Sequence, residues 1–194
     1  MRIENNYSVK AHNTFGINQI TKRFIEYSSA DELKELIKSG KLEQPFFHIG
    51  AGSNLLFVDD YEGTLLHSAI CYIHPVKETK DEVWVSVGAG TCWDDFVAHC
   101  VEKEWYGVEN LSLIPGEVGS AAVQNIGAYG VEVKDLLVSL KAINLLTGEE
   151  REFSNAECQY DYRYSCFKQP EMKVWAVVEV TFKLSKQPTF NLTY

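Results

Sequence analysis

The sequence predicts an α+β fold built around a sizeable core. Short runs with strand character recur along the 194-residue chain, whereas only residues 30–39 and 93–103 carry the apolar spacing of amphipathic helices. Hydrophobic residues make up 45% of the sequence, which is enough for one large domain or for two small domains that share a groove.

The first half of the chain is predicted to contain one helix, two turns and several strands. Ser29 can cap the helix at residues 30–39, and Gly40 can end it. Asn13-Thr-Phe-Gly16 is typical of a turn, and it would pin an N-terminal arm whose sequence shows few periodic signals. A surface turn is predicted at residues 59–63. The strands are predicted at residues 24–28, 45–49, 55–58 and 64–73.

The second half is predicted to contain another helix and a hairpin. Thr91 can cap the helix at residues 93–103, with Asp94 at its third position. The preceding Gly88-Ala-Gly90 is interpreted as mainly structural, because turns from strand to helix commonly need small residues. Residues 147–148 suit a hairpin turn. The strands are predicted at residues 83–87, 138–146, 150–153 and 174–182.

The loop Gly50-Ala-Gly-Ser-Asn54 is a candidate anion site. It begins like the dinucleotide fingerprint, but Leu55 takes the place of the third glycine and no long helix follows, so that interpretation is rejected. Its consecutive peptide N–H groups could still form a nest for an anion, with Ser53 and Asn54 adding donors suited to a pyrophosphate. A tight hairpin bend is the alternative.

A second candidate is the glycine-punctuated stretch over residues 107–130, which is apolar but has no clean helical or strand period. Glycine lets the main chain approach a ligand closely, and Gln124 and Asn125 could bond something flat with polar edges. A tightly packed crossover in the core would need the same small residues. Residue chemistry leaves both interpretations open.

Arg163 is a candidate for anion recognition because Tyr160, Tyr162 and Tyr164 surround it in sequence. A guanidinium between aromatic walls could face a carboxylate or a developing oxyanion. A surface arginine stacked on tyrosine rings is the alternative.

Composition excludes several classes of function. A net charge of −9 argues against nucleic acid as a partner, since that binding needs a concentrated basic face. Five scattered cysteines and five histidines show neither a disulfide framework nor metal spacing, so no metal is expected. The chain lacks a long apolar run and an N-terminal secretory pattern, so we expect no membrane association and a cytoplasmic location.

Five motifs occur in order and together cover nearly the whole chain. The motifs are His12-Asn-Thr-Phe-Gly16, Ile49-Gly-Ala-Gly-Ser-Asn-Leu-Leu56, Glu109-Asn-Leu-Ser-Leu-Ile-Pro-Gly116, Gln124-Asn-Ile-Gly-Ala-Tyr-Gly130 and Tyr162-Arg-Tyr-Ser-Cys-Phe-Lys168. This set resembles the UDP-N-acetylenolpyruvoylglucosamine reductase family of bacterial peptidoglycan synthesis. The resemblance favours the binding interpretations over the structural ones.

The resemblance implies a two-lobed α+β FAD-binding fold of the vanillyl-alcohol-oxidase type, with FAD held non-covalently between the lobes. The implied lobes are residues 1–68 and 69–190, and residues 191–194 would begin a substrate-binding domain. The implied cofactor-binding residues are Gly50, Ala51, Gly52, Ser53, Asn54, Leu55, Pro115, Gly116, Gly119, Ser120, Asn125, Ile126, Gly127 and Ala128.

The resemblance also implies the chemistry. In the family NADPH reduces the flavin, which reduces UDP-N-acetylglucosamine enolpyruvate to UDP-N-acetylmuramate; a serine donates the proton and a glutamate assists. Arg163 matches the arginine that polarises the substrate carboxylate, and Tyr129, Tyr162 and Tyr194 are implied substrate contacts. No residue here matches the serine or the glutamate, so we expect this chain to be truncated and inactive. We also expect it to be a monomer.

Two other functions stay open on sequence alone. One is a non-catalytic flavin or nucleotide binding protein that is complete at this length. The other is a related flavin oxidase, which is disfavoured because no histidine or cysteine stands in a recognisable motif for covalent flavin attachment.

Overall fold

The computed structural model describes residues 1–188 and residue 190. Its first sheet has four strands in the order β1-β2-β4-β3. β1 and β2 are antiparallel, whereas β2 and β3 both run parallel to β4. A helix, α1 (Ala30–Lys38), connects β2 to β3. The strands are β1 (Arg2–Ser8), β2 (Ile20–Tyr27), β3 (Phe46–Ile49) and β4 (Tyr61–Ser68).

The second sheet has five strands in the order β10-β9-β11-β6-β5, and every neighbouring pair is antiparallel. Two helices, α2 (Trp93–Glu102) and α3 (Val118–Gln124), lie between β6 and a two-residue hairpin of β7 and β8. The strands from β5 onward are β5 (Ile73–Glu78), β6 (Glu82–Gly88), β7 (Gly127–Ala128), β8 (Val131–Glu132), β9 (Leu137–Asn144), β10 (Glu150–Ser154) and β11 (Trp175–Ser185). Within the described ranges, no helix has the length and apolar character needed to cross a membrane.

Buried side chains from both sheets form one shared apolar layer. Tyr27 and Leu66 from the first sheet pack in the same cluster as Ile143, Ala176 and Val178 from the second, and each is almost inaccessible to solvent. Removing such surface from water is the main stabilising contribution to folding. The two sheets are therefore packed directly against each other.

The segment that connects β4 of the first sheet to β5 of the second passes closely over Gly88 and Gly90. A Cβ added to Gly88 would lie 2.2 Å from the carbonyl oxygen of Ile70, and one added to Gly90 would lie 2.1 Å from that of Ser68. The Gly90 N–H also donates to the Ile70 carbonyl at 3.0 Å. This contact confirms the structural interpretation of Gly88-Ala-Gly90, and its cause is the close passage of two backbones rather than the turn into α2.

Local chemistry confirms most predicted elements. Ser29 caps α1, because its Oγ accepts a hydrogen bond from the Glu32 N–H at 3.1 Å, and Gly40 follows the helix with φ of +67°. The turn at residues 13–16 is held by the Asn13 side chain, which bonds the main chain of Val9 and Ile17. Apart from the two differences at residues 55–58 and 64–73, the predicted strands fall on strands of the two sheets.

Four expectations are wrong. Residues 55–58 form no strand, and the predicted strand at 64–73 is two strands, because β4 ends at Ser68 and β5 starts at Ile73. The predicted turn at 59–63 already contains the start of β4. Thr91 does not cap α2, since its Oγ1 instead bonds the N–H and carbonyl of Tyr72.

Two longer elements, β1 and α3, were not predicted at all, and neither was the short hairpin of β7 and β8. β1 is polar on both faces at most positions, which hides the alternation expected of a strand, and it is held mainly by its ladder with β2. α3 contains Gly119 and small alanines, so its pattern is that of close packing rather than of an amphipathic surface helix. The division into lobes at residues 68 and 69 falls between the two sheets and remains a proposal.

Gly52 gives a direct test of how the loop after β3 is held. Gly52 has φ of +70°, and an added Cβ would lie 1.9 Å from the His12 carbonyl oxygen. We expect Gly52→Ala to lower the free energy of unfolding by about 3 kcal/mol or more, measured by urea denaturation, because left-handed strain is added to a backbone clash.

Gly40→Ala is the matched control, since Gly40 has φ of +67° and no atom within 4 Å of the added carbon. Left-handed strain alone should cost about 1 kcal/mol there. Equal losses for the two variants would contradict the close contact between the loop and His12.

Candidate functional site

A cavity of about 860 Å³ opens where the two sheets meet, and glycine-rich loops line much of it. The Gly50 loop (residues 50–55) follows β3, and the Pro115 loop (residues 114–117) leads into α3. Further lining residues come from α3 and from the segment around Arg163 and Lys168. Both glycine-rich candidates of the sequence therefore meet at one site.

Direct contacts join the two loops. Ser53 Oγ donates a hydrogen bond to the Pro115 carbonyl at 3.2 Å. A Cβ added to Gly50 would lie 3.0 Å from Ser120 Cβ, so the absence of a side chain allows the Gly50 loop to approach α3. The loops form adjoining walls rather than two separate sites.

Main-chain bonds fix the Pro115 loop against the segment that precedes α2. The Trp93 N–H donates to the Gly116 carbonyl at 3.0 Å, and the Gly119 N–H donates to the Ala89 carbonyl at 2.8 Å. An added Cβ on Gly119 would lie 2.8 Å from Ala89 Cβ. Gly119 thus serves packing, whereas Gly116 has φ of +134° and faces the cavity.

Behind the loops, His67 lies between two glutamates. Its Nδ1 is 2.9 Å from Glu26 Oε2 and its Nε2 is 2.8 Å from Glu117 Oε1. Burial opposes protonation, but the hydrogen bonds and charges of Glu117 and Glu26 outweigh it and raise the pKa of His67. Glu117 lines the cavity, so a charged group at the start of α3 is linked through His67 to the first sheet.

Arg163 sits in a strained turn at the edge of the cavity. Its φ is +51°, and Asp161 and Tyr164 on either side exchange two main-chain hydrogen bonds. The guanidinium donates to the Gly127 carbonyl at 2.8 Å, while Lys168 Nζ donates to the carbonyl of Arg163 at 2.6 Å. Burial, and then the charge of Arg163, lower the pKa of Lys168.

The structure brings most of the predicted cofactor residues together. These residues line the cavity: Gly50, Ala51, Gly52, Ser53, Asn54, Leu55, Pro115, Gly116, Gly119, Ser120 and Ile126. The lining does not include Asn125, Gly127 or Ala128. Gly127 and Ala128 form β7, and the Gly127 carbonyl accepts the bond from Arg163.

Asn125, one of the predicted cofactor residues, is held by structural hydrogen bonds. It is fully buried at the end of α3, with left-handed φ of +47°. Its Nδ2 donates to Glu132 Oε2 and to the Asp161 carbonyl, and its Oδ1 accepts from the Lys134 N–H. These bonds use both N–H groups of the amide and tie α3 to the Arg163 turn.

Two of the three predicted substrate residues, Tyr129 and Tyr162, lie outside the cavity lining. Tyr129 and Tyr162 are 61% and 76% exposed, and neither lines the cavity. The Arg163 guanidinium lies 6.0 Å from the centre of the Tyr162 ring. Tyr194 falls outside the residues that the structure describes.

Sequence reasoning assigned no role to several charged or aromatic residues of the cavity lining. Glu117, Lys168, Lys173 and Trp175 are among them. Lys168 stands inside the fifth motif and Glu117 inside the stretch of residues 107–130, so charged residues there offered a usable signal. His67 lies in a run with strand character, and nothing in its spacing indicates the two glutamates it joins.

Comparison with known proteins identifies the family. Residues 21–154, more than half of the chain, match the model of a family described as an FAD binding domain. The chain belongs to this FAD-binding family. This membership confirms the α+β FAD-binding fold, and FAD is the cofactor that the family's description names.

Several relatives carry one name, and they confirm the resemblance seen in the five motifs. The chain is 56% identical over 192 residues to UDP-N-acetylenolpyruvoylglucosamine reductase of Bacteroides fragilis, covering 99% of this chain and 58% of that protein. It is 45% identical to the same-named protein of Porphyromonas gingivalis, with 100% and 58% covered. The chain thus spans a little over half the length of these relatives.

A solved structure extends the likeness to three dimensions. The crystal structure of the UDP-N-acetylenolpyruvylglucosamine reductase of Thermus caldophilus superposes with a TM-score of 0.79 at 27% identity. The match covers 97% of this chain and 64% of that one. The described fold is therefore shared with a solved structure of that reductase at 27% sequence identity.

His48, which lines the cavity, predicts a loss of stability in mild acid. Burial and then the charge of His67 lower the pKa of His48 to about 4, and a 2.7 Å hydrogen bond joins its Nε2 to the Tyr27 hydroxyl. The unfolded chain gains a proton at this histidine below about pH 6.5, whereas the folded chain does not. Stability should therefore fall as the pH drops from 6.5 towards 4.

Between pH 7 and pH 5 the wild-type free energy of unfolding should fall, and we expect His48→Gln to reduce that fall by about 1–2 kcal/mol. The effect is limited to this size because part of the ring remains accessible to solvent. Urea denaturation of both proteins at the two pH values measures it. His74→Gln, at an exposed histidine, is the control. An undiminished acid sensitivity in His48→Gln would rule out this histidine as its source.

Proposed function

We propose that this chain binds FAD non-covalently in the cavity, as the flavin-binding part of an NADPH-dependent reductase acting on UDP-N-acetylglucosamine enolpyruvate. The observation that carries the proposal is the meeting of the Gly50 and Pro115 loops, joined by the bond from Ser53 to the Pro115 carbonyl. Membership of the FAD-binding family and the names of the relatives supply the cofactor and the substrate.

The residues present fit the cofactor. The Gly50 loop would take the diphosphate, because Gly50, Gly52 and Gly116 leave main chain open at the cavity wall and Ser53 and Asn54 add polar side chains. The apolar lining from Ile126, Pro115 and α3 suits the flavin ring.

Arg163 would act on the substrate rather than on the cofactor. When bound, FAD would supply the hydride that reduces the enolpyruvyl double bond, with NADPH as the source of electrons. Negative charge then builds next to the substrate carboxylate, and the Arg163 guanidinium is held at the cavity edge by Gly127 and by the turn at residues 161–164. A fixed cation there stabilises the transition state more than the ground state.

Gly116 provides the test of where FAD lies. Its added Cβ would meet only Ser120 Oγ at 3.3 Å and Ser53 Oγ at 3.5 Å, so a methyl group would project into the cavity. We expect the wild-type chain to titrate with FAD and Gly116→Ala to bind about tenfold more weakly or worse, by flavin absorbance and fluorescence.

Gly148→Ala is the matched control, because Gly148 has φ of +76° and its added Cβ makes only an ordinary 3.7 Å contact with Ile37. It should bind FAD like the wild type. A wild-type chain that fails to take up FAD at near-millimolar concentration would refute the proposed function. Equal weakening in both variants would remove Gly116 from the site.

The role of Arg163 is tested in a chain extended to the relatives' full length. We expect Arg163→Ala to slow reduction of the enolpyruvyl substrate by about a hundredfold or more, roughly 3 kcal/mol, with Arg163→Lys intermediate because a point charge lacks the planar fork. FAD content and flavin reduction by NADPH should change far less. Stopped-flow measurement of the two half-reactions decides, and substrate reduction at the wild-type rate would exclude Arg163 from the chemistry.

A further inference from the structure

The bridge of Glu26, His67 and Glu117 places an ionisable chain directly behind the Gly50 loop. The His67 and Glu117 side chains are only 11% and 12% exposed, and that of Glu26 is 25% exposed. A Cβ added to Gly50 would lie 3.2 Å from Glu117 Oε2, so this carboxylate adjoins the main chain of the loop. Glu117 is thus both a cavity-lining anion and a partner of His67.

An anion bound at the Gly50 loop would be repelled by Glu117 unless a positive charge neutralises this carboxylate. With His67 neutral, the two glutamates contribute two negative charges, and the imidazole can donate to only one of them. With His67 protonated, both ring nitrogens donate and the bridge carries a single net negative charge. Charges this close to a partly dry cavity interact more strongly than charges in bulk water.

The other groups around the bridge do not supply this compensation. The ring of His12 lies 5.0 Å from that of His67, and burial followed by the charge of His67 lowers its pKa. Arg2 reaches Glu26 at 3.9 Å on the outer side and is 47% exposed. His48 is kept neutral by its pKa of about 4, and burial and then the charge of Glu117 raise the pKa of Cys71. Tyr7 bonds His12, and Tyr27 bonds His48.

We propose that His67 is a positioning residue for a diphosphate-bearing ligand: its protonated ring holds Glu117 and neutralises it behind the Gly50 loop, so that the ligand binds together with a proton. The inference rests on the proposed FAD site. It concerns the protein's own charge, because the geometry joins Glu117 at the cavity wall to Glu26 of the first sheet through a group that can gain or lose a proton near neutral pH.

The sign of the effect follows from linkage. The folded protein already holds the His67 pKa above its ordinary value, and a bound dianion should raise it further because it favours the charged ring. Affinity is therefore highest below the pKa of the ligand-free protein and falls as the pH rises through that value towards the pKa of the complex.

Two flavins distinguish the diphosphate from the ring system. We expect the dissociation constant of the wild-type chain for FAD to rise about tenfold between pH 6.5 and pH 9. This rise corresponds to a difference of about one unit between the pKa of His67 in the free protein and in the complex. Riboflavin, which lacks the diphosphate, should show no such rise. A pH-independent affinity for FAD, or the same rise for riboflavin, would overturn the inference while leaving the FAD site intact.

Variants assign the effect to the bridge. Glu117→Gln and His67→Gln should both abolish the pH dependence, and at pH 9 Glu117→Gln should bind FAD more tightly than the wild type because the uncompensated charge is gone. His12→Gln is the control, since His12 neighbours His67 but bonds neither glutamate, and it should retain the wild-type dependence. A wild-type dependence in His67→Gln would overturn the inference.

A measurement on the unmodified chain covers the case in which a variant does not fold. The pKa of the His67 ring, followed by NMR of its nitrogens, should rise when FAD is added, with both nitrogens protonated at pH 7. A pKa that falls or stays unchanged on saturation with FAD would overturn the inference. If no FAD binds at any pH, the proposed function fails as well.

Discussion

The close passage of residues 68–70 over Gly88 and Gly90 is the constraint on which the rest of the molecule depends. Main-chain atoms occupy the space that any side chain there would fill. A Cβ added to either glycine would lie only 2.1–2.2 Å from a main-chain carbonyl oxygen. This contact sets the distance between the two sheets, and the shared layer around Tyr27, Leu66 and Val178 closes over it. Because proteins pack their interiors densely, the spacing leaves little freedom to the loops at the rim.

The cavity is a consequence of that spacing. The Gly50 loop comes from the end of a parallel strand in the first sheet, and the Pro115 loop comes from the second half of the chain, so only the packing of the sheets brings them together. The bridge through His67 then ties the same two parts with charge-assisted hydrogen bonds. Loop geometry and electrostatics thus depend on contacts that join the lining residues to both sheets.

Sequence reasoning located the loops but not their partners. Gly50, Gly52 and Gly116 were identifiable because glycine marks positions where main chain is exposed or left-handed. Asn125 was assigned to the ligand since amides often bind polar edges, yet its two amide N–H groups donate to Glu132 and to the Asp161 carbonyl. Such contacts depend on the tertiary fold, so neither period nor spacing reveals them.

The same reason explains the secondary structure that was missed. β1 shows no alternation because its stability comes from pairing with β2, and the small residues of α3 are explained only by the surface against which Gly119 packs. His67 belongs to β4 and was indistinguishable from any other residue of a buried strand. Local propensity therefore gave the helices and strands with strong patterns, while the charged bridge required the assembled sheets.

Hydrogen–deuterium exchange with and without FAD tests the central claim most directly, namely that one ligand occupies the junction of the two sheets. The account predicts simultaneous protection of residues 50–55 and 114–120 on addition of FAD, with little change in β1 or in the hairpin of β9 and β10. Protection of only one of the two loops, or protection elsewhere without either, would contradict it.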